Sequence, residues 1–305
     1  MKPLVFVTTD VPKECVRIIK LKGYRVKQGR DIVKGGKGAH AILTLLTHKV
    51  NALVMDAVGP QLKVISNMAS GLDNIDLTAA KDRGVAVSNT PDVLTETVAE
   101  HTIAMVLALA RRIVEGDSFV RKGKYKGWKA DLLLGSELKG NVLGVVGHGR
   151  IGCRAAEIAQ RGFGMKVLYY DLKGPAKHSV CGAAKTSLDK LLQEADAISL
   201  HVPLVPSTRH FISTTELERM KKTSFLVNTS RGPVIDEKAL VKALQGNVIA
   251  GAGLDVFEKE PKIPPALTKL KNVVLTPHIA SASREARGAM AEMAARNVIT
   301  ALMNL

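Results

Sequence analysis

Residues 142–152, VLGVVGHGRIG, constrain this chain more than any other stretch, because a strand-like apolar run ends in Gly147, Gly149 and Gly152 and passes into a helical segment. That spacing suits phosphate binding by the backbone. The first glycine permits a tight turn, the second lets a pyrophosphate approach the main chain, and the third lets the helix pack closely on the strand. The amide end of the helix then faces the phosphates. Nineteen residues after Gly152, the apolar run 165–170 ends in Asp171. A carboxylate there accepts hydrogen bonds from both adenosine ribose hydroxyls and repels a 2′-phosphate, which favours NAD over NADP. Glycine-rich turns and strand-end aspartates are each common alone; together, at this distance, they form a dinucleotide signature.

The rest of the chain alternates in the same way. Strand-like runs at 4–8, 23–26, 41–46, 62–66 and 85–87 precede the glycine turn, and runs at 166–170, 197–200, 225–228, 249–254 and 273–276 follow it, with helical segments between most of them. Alternation of this kind implies parallel sheets. Residues 31–38, with three glycines, read as loop or a poorly defined helix start. Residues 92–115 read as one long helix crossing between domains, followed by a linker holding Gly123, Gly127 and Trp128. A last helix over 284–305 has no strand after it. The expected fold is α/β, with two Rossmann/flavodoxin-like doubly wound parallel-sheet domains and a cleft between them. Residues 1–97 plus 279–305 are expected to form a discontinuous substrate-binding domain and 98–278 a nucleotide domain.

A length of 305 residues suits two cores of this size. The longest apolar stretch, 102–110, is too short to span a bilayer, and residues 1–20 read as strand, turn and helix instead of a cleavable signal, so a cytoplasmic location and no membrane partner are expected. Cys15, Cys153 and Cys181 are odd in number and lack metal-ligand or disulfide spacing, which suits free thiols and no metal. The net charge of +16 admits a nucleic-acid surface or a lysine-rich surface around a site for anionic ligands. The second is favoured, because the lysines are scattered and aromatic residues for base stacking are few.

Further motifs lie at 68–76 (MASGLDNID), 89–97 (NTPDVLTET), 228–232 (NTSRG), 253–261 (GLDVFEKEP) and 276–281 (TPHIAS). With the glycine turn, they make the chain resemble the D-isomer-specific 2-hydroxyacid dehydrogenase family over nearly its whole length, in particular its glyoxylate/hydroxypyruvate reductase branch. The resemblance implies NAD(H)-dependent reduction of a small 2-oxo acid to the D-2-hydroxy acid, with Arg231, Glu260 and His278 catalytic. His278 is then the acid/base, Glu260 orients its ring and favours the imidazolium, and Arg231 binds and polarises the substrate. The chemistry agrees, since hydride arriving at a carbonyl carbon leaves charge on oxygen that a positioned proton donor must meet. A guanidinium fork matches a carboxylate.

By the same resemblance, Gly147, His148, Gly149, Arg150, Ile151, Gly152, Asp171, Pro203, Thr208, Thr229, Arg231, Asp255, His278 and Ala280 contact the cofactor, with NADH preferred over NADPH. Leu46, Ser70, Gly71 and Trp128, with Arg231 and His278, contact substrate. The amides of the 69–71 turn would take the substrate carboxylate. Trp128 reaches a partner subunit's pocket or packs an interface, and a homodimer is expected. His48 stands where the family more often has an acidic residue. A D-3-phosphoglycerate dehydrogenase and a non-catalytic, NAD-sensing co-repressor-like binding protein remain open as alternatives.

Overall fold

The structure is a computed structural model that describes residues 2–172 and 182–303; Cys181 lies outside the described residues. Residues Met1–Leu94 and Ala282–Leu305 form one compact unit, and Thr95–Ser281 form a second.

In the first unit, β1 (Leu4–Thr8), α1 (Lys13–Leu21), β2 (Arg25–Gly29), α2 (Ile32–Gly35), β3 (Ala41–Thr44), α3 (Ala52–Val58), β4 (Val64–Asn67), α4 (Leu77–Asp82) and β5 (Ala86–Ser88) follow in order. The sheet is parallel, in the order β2-β1-β3-β4-β5. Every residue of β3 and β4 is buried, as expected for strands covered on both faces. The starts of α3 and α4 carry side-chain caps: Asn51 Oδ1 accepts from the Val54 amide and Asp76 Oδ1 from that of Ala79. The same device starts α2, within the stretch read as loop or a poorly defined helix start, because Asp31 accepts from the amides of Val33 and Lys34.

The second unit contains α5 (Thr95–Ala110), α6 (Ile113–Arg121), β6 (Val142–Val146), α7 (Arg150–Phe163), β7 (Lys166–Tyr170), β8 (Ala184–Lys185), α8 (Leu188–Glu194), β9 (Ala197–Leu200), α9 (Thr214–Arg219), β10 (Phe225–Asn228), α10 (Glu237–Gln245), β11 (Gly251–Leu254), α11 (Pro265–Thr268) and β12 (Val273–Leu275). Its seven-stranded parallel sheet runs β12-β11-β10-β9-β6-β7-β8. Strand order reverses between β6 and β9, and ligands of open α/β sheets bind at the carboxyl ends of strands at such a point. The chain then returns to the first unit as α12 (Arg284–Met303), where Ser66 Oγ donates to the Ala294 carbonyl and Cys15 Sγ to that of Ala291.

One expected element divides. Residues 92–115 are not a single helix: α5 ends at Ala110 and α6 begins at Ile113, with Arg112 left-handed at φ 53°. Returning chain causes the break. The Ser136 amide donates to the Ala110 carbonyl at 2.8 Å, and Gly135 packs so tightly on that carbonyl that a Cβ would overlap it. Arg112 then forks onto Glu115 and reaches the Leu134 carbonyl. The short edge strand β8 was not anticipated either.

Candidate active site

Each glycine of the turn after β6 has its own physical reason. Gly147 has φ 91°, and a Cβ there would sit 2.8 Å from the carbonyl carbon and oxygen of His201, at the end of the neighbouring strand β9. At Gly152 a Cβ would land on the Gly147 carbonyl oxygen, so the first turn of α7 lies against the loop only because no side chain intervenes. Gly149, which caps α7, is different: a Cβ there meets nothing within 4 Å. The protein leaves that space open, as a cradle for a pyrophosphate requires, so these residues fit a dinucleotide. Arg150 and Ile151 open the helix beside it.

Asp171 follows β7, and its Oδ2 accepts from the His148 amide at 2.8 Å, which fixes the carboxylate against the glycine turn. The His148 side chain takes another direction. It is 1% exposed and stacks on Tyr169 with ring centroids 3.9 Å apart; Nδ1 lies 3.4 Å from Cys153 Sγ. Burial pushes its pKa below the ordinary histidine value. His148 therefore supports the turn from beneath. Across the crevice, burial, with a smaller effect from His148, lowers His201 to about 4. Pro203 and Thr208 follow. The Thr208 hydroxyl donates towards the carbonyls of Pro203 and Val205 and accepts from the Val205 amide, so it shapes this loop internally.

The second cluster gathers at the ends of β10, β11 and β12. At the end of β10, Asn228 organises the following loop: its Oδ1 accepts from the amide and hydroxyl of Ser230, and its Nδ2 donates to the Arg231 carbonyl. Arg231 Nη1 donates to the Ser230 carbonyl at 2.8 Å. The next residue is Gly232, where a Cβ would overlap the backbone of Phe257 and Glu258. That close approach brings the Arg231 loop against the segment carrying Glu260.

His278 Nδ1 lies 2.8 Å from Glu260 Oε2, and Glu260 Oε1 accepts from the Phe257 amide at 3.0 Å. Burial pushes the Glu260 carboxyl up, but its bonds to His278 and Phe257 and the charges of His278 and Arg231 outweigh that and hold it below the ordinary carboxylate range. An ionised Glu260 only accepts, so His278 Nδ1 carries the hydrogen between them.

Asp255 holds the histidine's loop in place. Fully buried, its carboxylate accepts from the Thr276 hydroxyl at 2.6 Å and from the Ile279 and Ala280 amides at 2.8 and 2.7 Å, while its carbonyl accepts from the His278 amide. These bonds keep His278 at φ 56°, a left-handed conformation that a residue with a Cβ adopts only when its surroundings impose it. Sequence reasoning missed two supports from α5. His101 Nε2 lies 3.2 Å from the Thr276 hydroxyl, which already donates to Asp255, so the imidazole is the donor. Thr102 donates to the Val98 carbonyl, so it accepts from the Thr229 hydroxyl at 3.0 Å. These partners lie 175 and 127 positions apart, and no local pattern signals them.

In the first unit, the turn holding Ser70 and Gly71 has every carbonyl tied back. The Ala69 carbonyl accepts from the Thr90 amide, that of Ser70 from Asn89 Nδ2 and that of Gly71 from Asn67 Nδ2. A trans peptide sets N–H opposite C=O, so the amides of Ser70, Gly71 and Leu72 point away from those donors. Leu46 sits in the turn after β3, closed by the His48 amide donating to the Leu45 carbonyl. Trp128 lies after α6 and is 83% exposed. Among the described residues no group of His, Cys, Asp and Glu could hold a metal, and no helix is long and apolar enough to cross a membrane.

Residues 103–280 match the NAD-binding domain of the D-isomer specific 2-hydroxyacid dehydrogenases. Over 98% of this chain and 92% of the relative, the sequence is 48% identical to a glyoxylate reductase of Korarchaeum cryptofilum. A D-lactate dehydrogenase from Aquifex aeolicus, solved with NAD and lactic acid, superposes with a TM-score of 0.87 at 34% identity, covering 98% of this chain and 95% of that one. An NADPH-dependent glyoxylate/hydroxypyruvate reductase from Sinorhizobium meliloti, solved with NADP and malonate, gives 0.88 at 31% identity, covering 98% and 93%. The two parallel sheets, the nucleotide turn and these likenesses together make the chain a member of the D-isomer-specific 2-hydroxyacid dehydrogenase family, an oxidoreductase that uses a nicotinamide cofactor.

Proposed function

We propose that this enzyme reduces glyoxylate or hydroxypyruvate to the D-2-hydroxy acid with NADH. The observation that carries the reading is the hydrogen bond from His278 Nδ1 to Glu260, which commits that nitrogen and leaves Nε2 to give the proton to a carbonyl oxygen, or to take it back in the reverse direction. When bound, the nicotinamide supplies the hydride. Arg231, held by the Ser230 carbonyl and the Asn228 network, pairs with the substrate carboxylate and polarises its carbonyl. The backbone amides of Ser70 and Gly71 offer a further contact to a substrate carboxylate, and Leu46 flanks the substrate's carbon chain. Gly147 to Gly152 and Asp171 hold the adenosine and pyrophosphate. Pro203, Thr208, Thr229, Asp255 and Ala280 complete the cofactor side, with Thr208 and Asp255 acting by shaping the loops that line it. The glyoxylate reductase relative supports the substrate class.

The preference for NADH rests on Asp171, whose carboxylate is pinned at the strand end where a 2′-phosphate would meet it. Steady-state rates with glyoxylate, hydroxypyruvate, pyruvate and 3-phosphohydroxypyruvate, each with NADH and NADPH, test both choices. The kcat/KM for the first two should exceed the others by about tenfold or more, and Asp171→Ala should narrow the NADH preference. A preference for the phosphorylated acid would overturn the substrate, and a preference for NADPH the cofactor.

We also propose a homodimer through the α6 arm. No residue of α6 is buried, and Ile113, Val114, Val120, Tyr125, Trp128 and Leu134 are each at least half exposed within 22 positions. A second copy of the chain burying this apolar run, Trp128 included, removes the cost of wetting it. The unpaired thiols of Cys15 and Cys153, both buried, suit a reducing, cytoplasmic setting.

A further inference from the structure

Two asparagine amides in the first unit form a pair that no catalytic role uses. Asn67, at the end of β4 and fully buried, donates from Nδ2 to Asn74 Oδ1 at 2.9 Å and to the Gly71 carbonyl at 2.9 Å. Asn74 donates from Nδ2 to the carbonyls of His48 at 2.9 Å and Leu45 at 3.2 Å, with a longer contact of 3.4 Å back to Asn67 Oδ1. The four amide hydrogens thus reach one carbonyl in the 69–71 turn, two in the 45–48 loop, and the bond that joins the amides. Further backbone bonds extend the clamp: the Val50 amide donates to the Asn74 carbonyl, and the Met68 amide to that of Thr44.

Only a side-chain amide can complete this pattern. Each asparagine must donate twice, and Asn74 must accept as well; a carboxylate of the same shape has no donors and would set its charge against the two carbonyls that Asn74 now binds. The 69–71 turn offers amides to an anion, and the 45–48 loop carries Leu46 and the half-buried His48. Both are short surface turns with little regular structure of their own, so their mutual spacing depends on what cross-links them.

We infer that Asn67 and Asn74 are positioning residues that lock the anion-binding turn and the 45–48 loop into one rigid unit, so that carboxylate capture at Ser70–Gly71 and side-chain selection at Leu46–His48 are set together. Neither asparagine touches the substrate in this account. The inference deepens the function proposed above and rests on that reading for its kinetic consequence, but the mechanical coupling stands without it.

The test is hydrogen exchange on the full-length protein, comparing wild type with Asn74→Asp and Asn67→Asp, alongside steady-state kinetics with glyoxylate. Asn74 touches the carbonyls of one loop and Asn67 that of the other. Coupling predicts that either substitution speeds exchange in both 45–50 and 68–74, while the glycine turn at 147–152 is unchanged. It also predicts roughly a tenfold rise in KM for glyoxylate, as expected for losing two modest hydrogen bonds from a binding surface, with KM for NADH within twofold. Exchange that rises only in the loop directly touched overturns the inference, as does KM rising equally for both substrates. If wild type turns over no 2-oxo acid, the proposed function fails instead, and the exchange pattern still decides the coupling. Asn74→Ser serves if the aspartate variant does not fold, with the same expected pattern.

Discussion

His278 Nδ1 stands 2.8 Å from Glu260 Oε2, and the carboxylate's other oxygen accepts from the Phe257 amide. Glu260 is therefore a fixed, ionised acceptor, held below the ordinary carboxylate range by those bonds and by nearby positive charge, despite burial acting the other way. A carboxyl with a depressed folded-state pKa contributes stability above its unfolded value, about 4.3, and loses it as pH falls through the folded value. Thermal melts of wild type and Glu260→Gln from pH 3 to 7 should converge at the acid end and separate above it. Parallel curves across the whole range would remove the ion pair from the stability of this loop.

The glycine turn allows a sharper separation of binding from folding. Gly149→Ala adds a methyl where the protein has no atom within 4 Å, so the fold and melting temperature should hold while NADH affinity falls by about tenfold or more. In Gly152→Ala the methyl meets the Gly147 carbonyl, and overpacking there should cost about 3 kcal/mol of stability in addition to affinity. Calorimetry of folding and titration with NADH read the two effects independently. Equal loss of stability in both variants would mean that the space at Gly149 is not reserved for a ligand.

His201 makes a prediction of the opposite kind. Burial lowers its pKa from the ordinary 6.5 to about 4, so the unfolded chain takes up a proton that the folded chain refuses. Stability contributed by the neutral ring is complete above about 6.5, and declines by up to about 1.4 kcal/mol for each pH unit towards 4. Urea titrations should show that His201→Gln flattens this decline between pH 6.5 and 4. An unchanged acid slope would show that the ring titrates as it does in water.

What could be read from the sequence follows from how local the cause is. The strands β1, β7, β9 and β10 sit where continuous apolar runs predict them, and the glycine turn has the conformation its spacing implies. Local patterns also place Arg231, Glu260 and His278 in loops that the structure brings to neighbouring strand ends. The break at Arg112 was illegible, because an alanine- and leucine-rich run favours continued helix and the interruption comes from Gly135 and Ser136, two dozen residues on. The sequence marks Asp255 only as a cofactor contact; that its carboxylate also accepts from Thr276, Ile279 and Ala280, and so holds the loop of His278, is visible only in the fold. Which way a buried carboxylate turns depends on which donors the fold delivers, and periodicity carries no such information.

The central claim is that His278 transfers the proton to and from the substrate oxygen. The most direct measurement is single-turnover oxidation of NADH by glyoxylate at saturating substrate, comparing wild type with His278→Gln, with NADH binding followed by fluorescence. The variant should bind NADH with near wild-type affinity while its rate falls by roughly 10²- to 10⁴-fold. A rate within about threefold of wild type would contradict it.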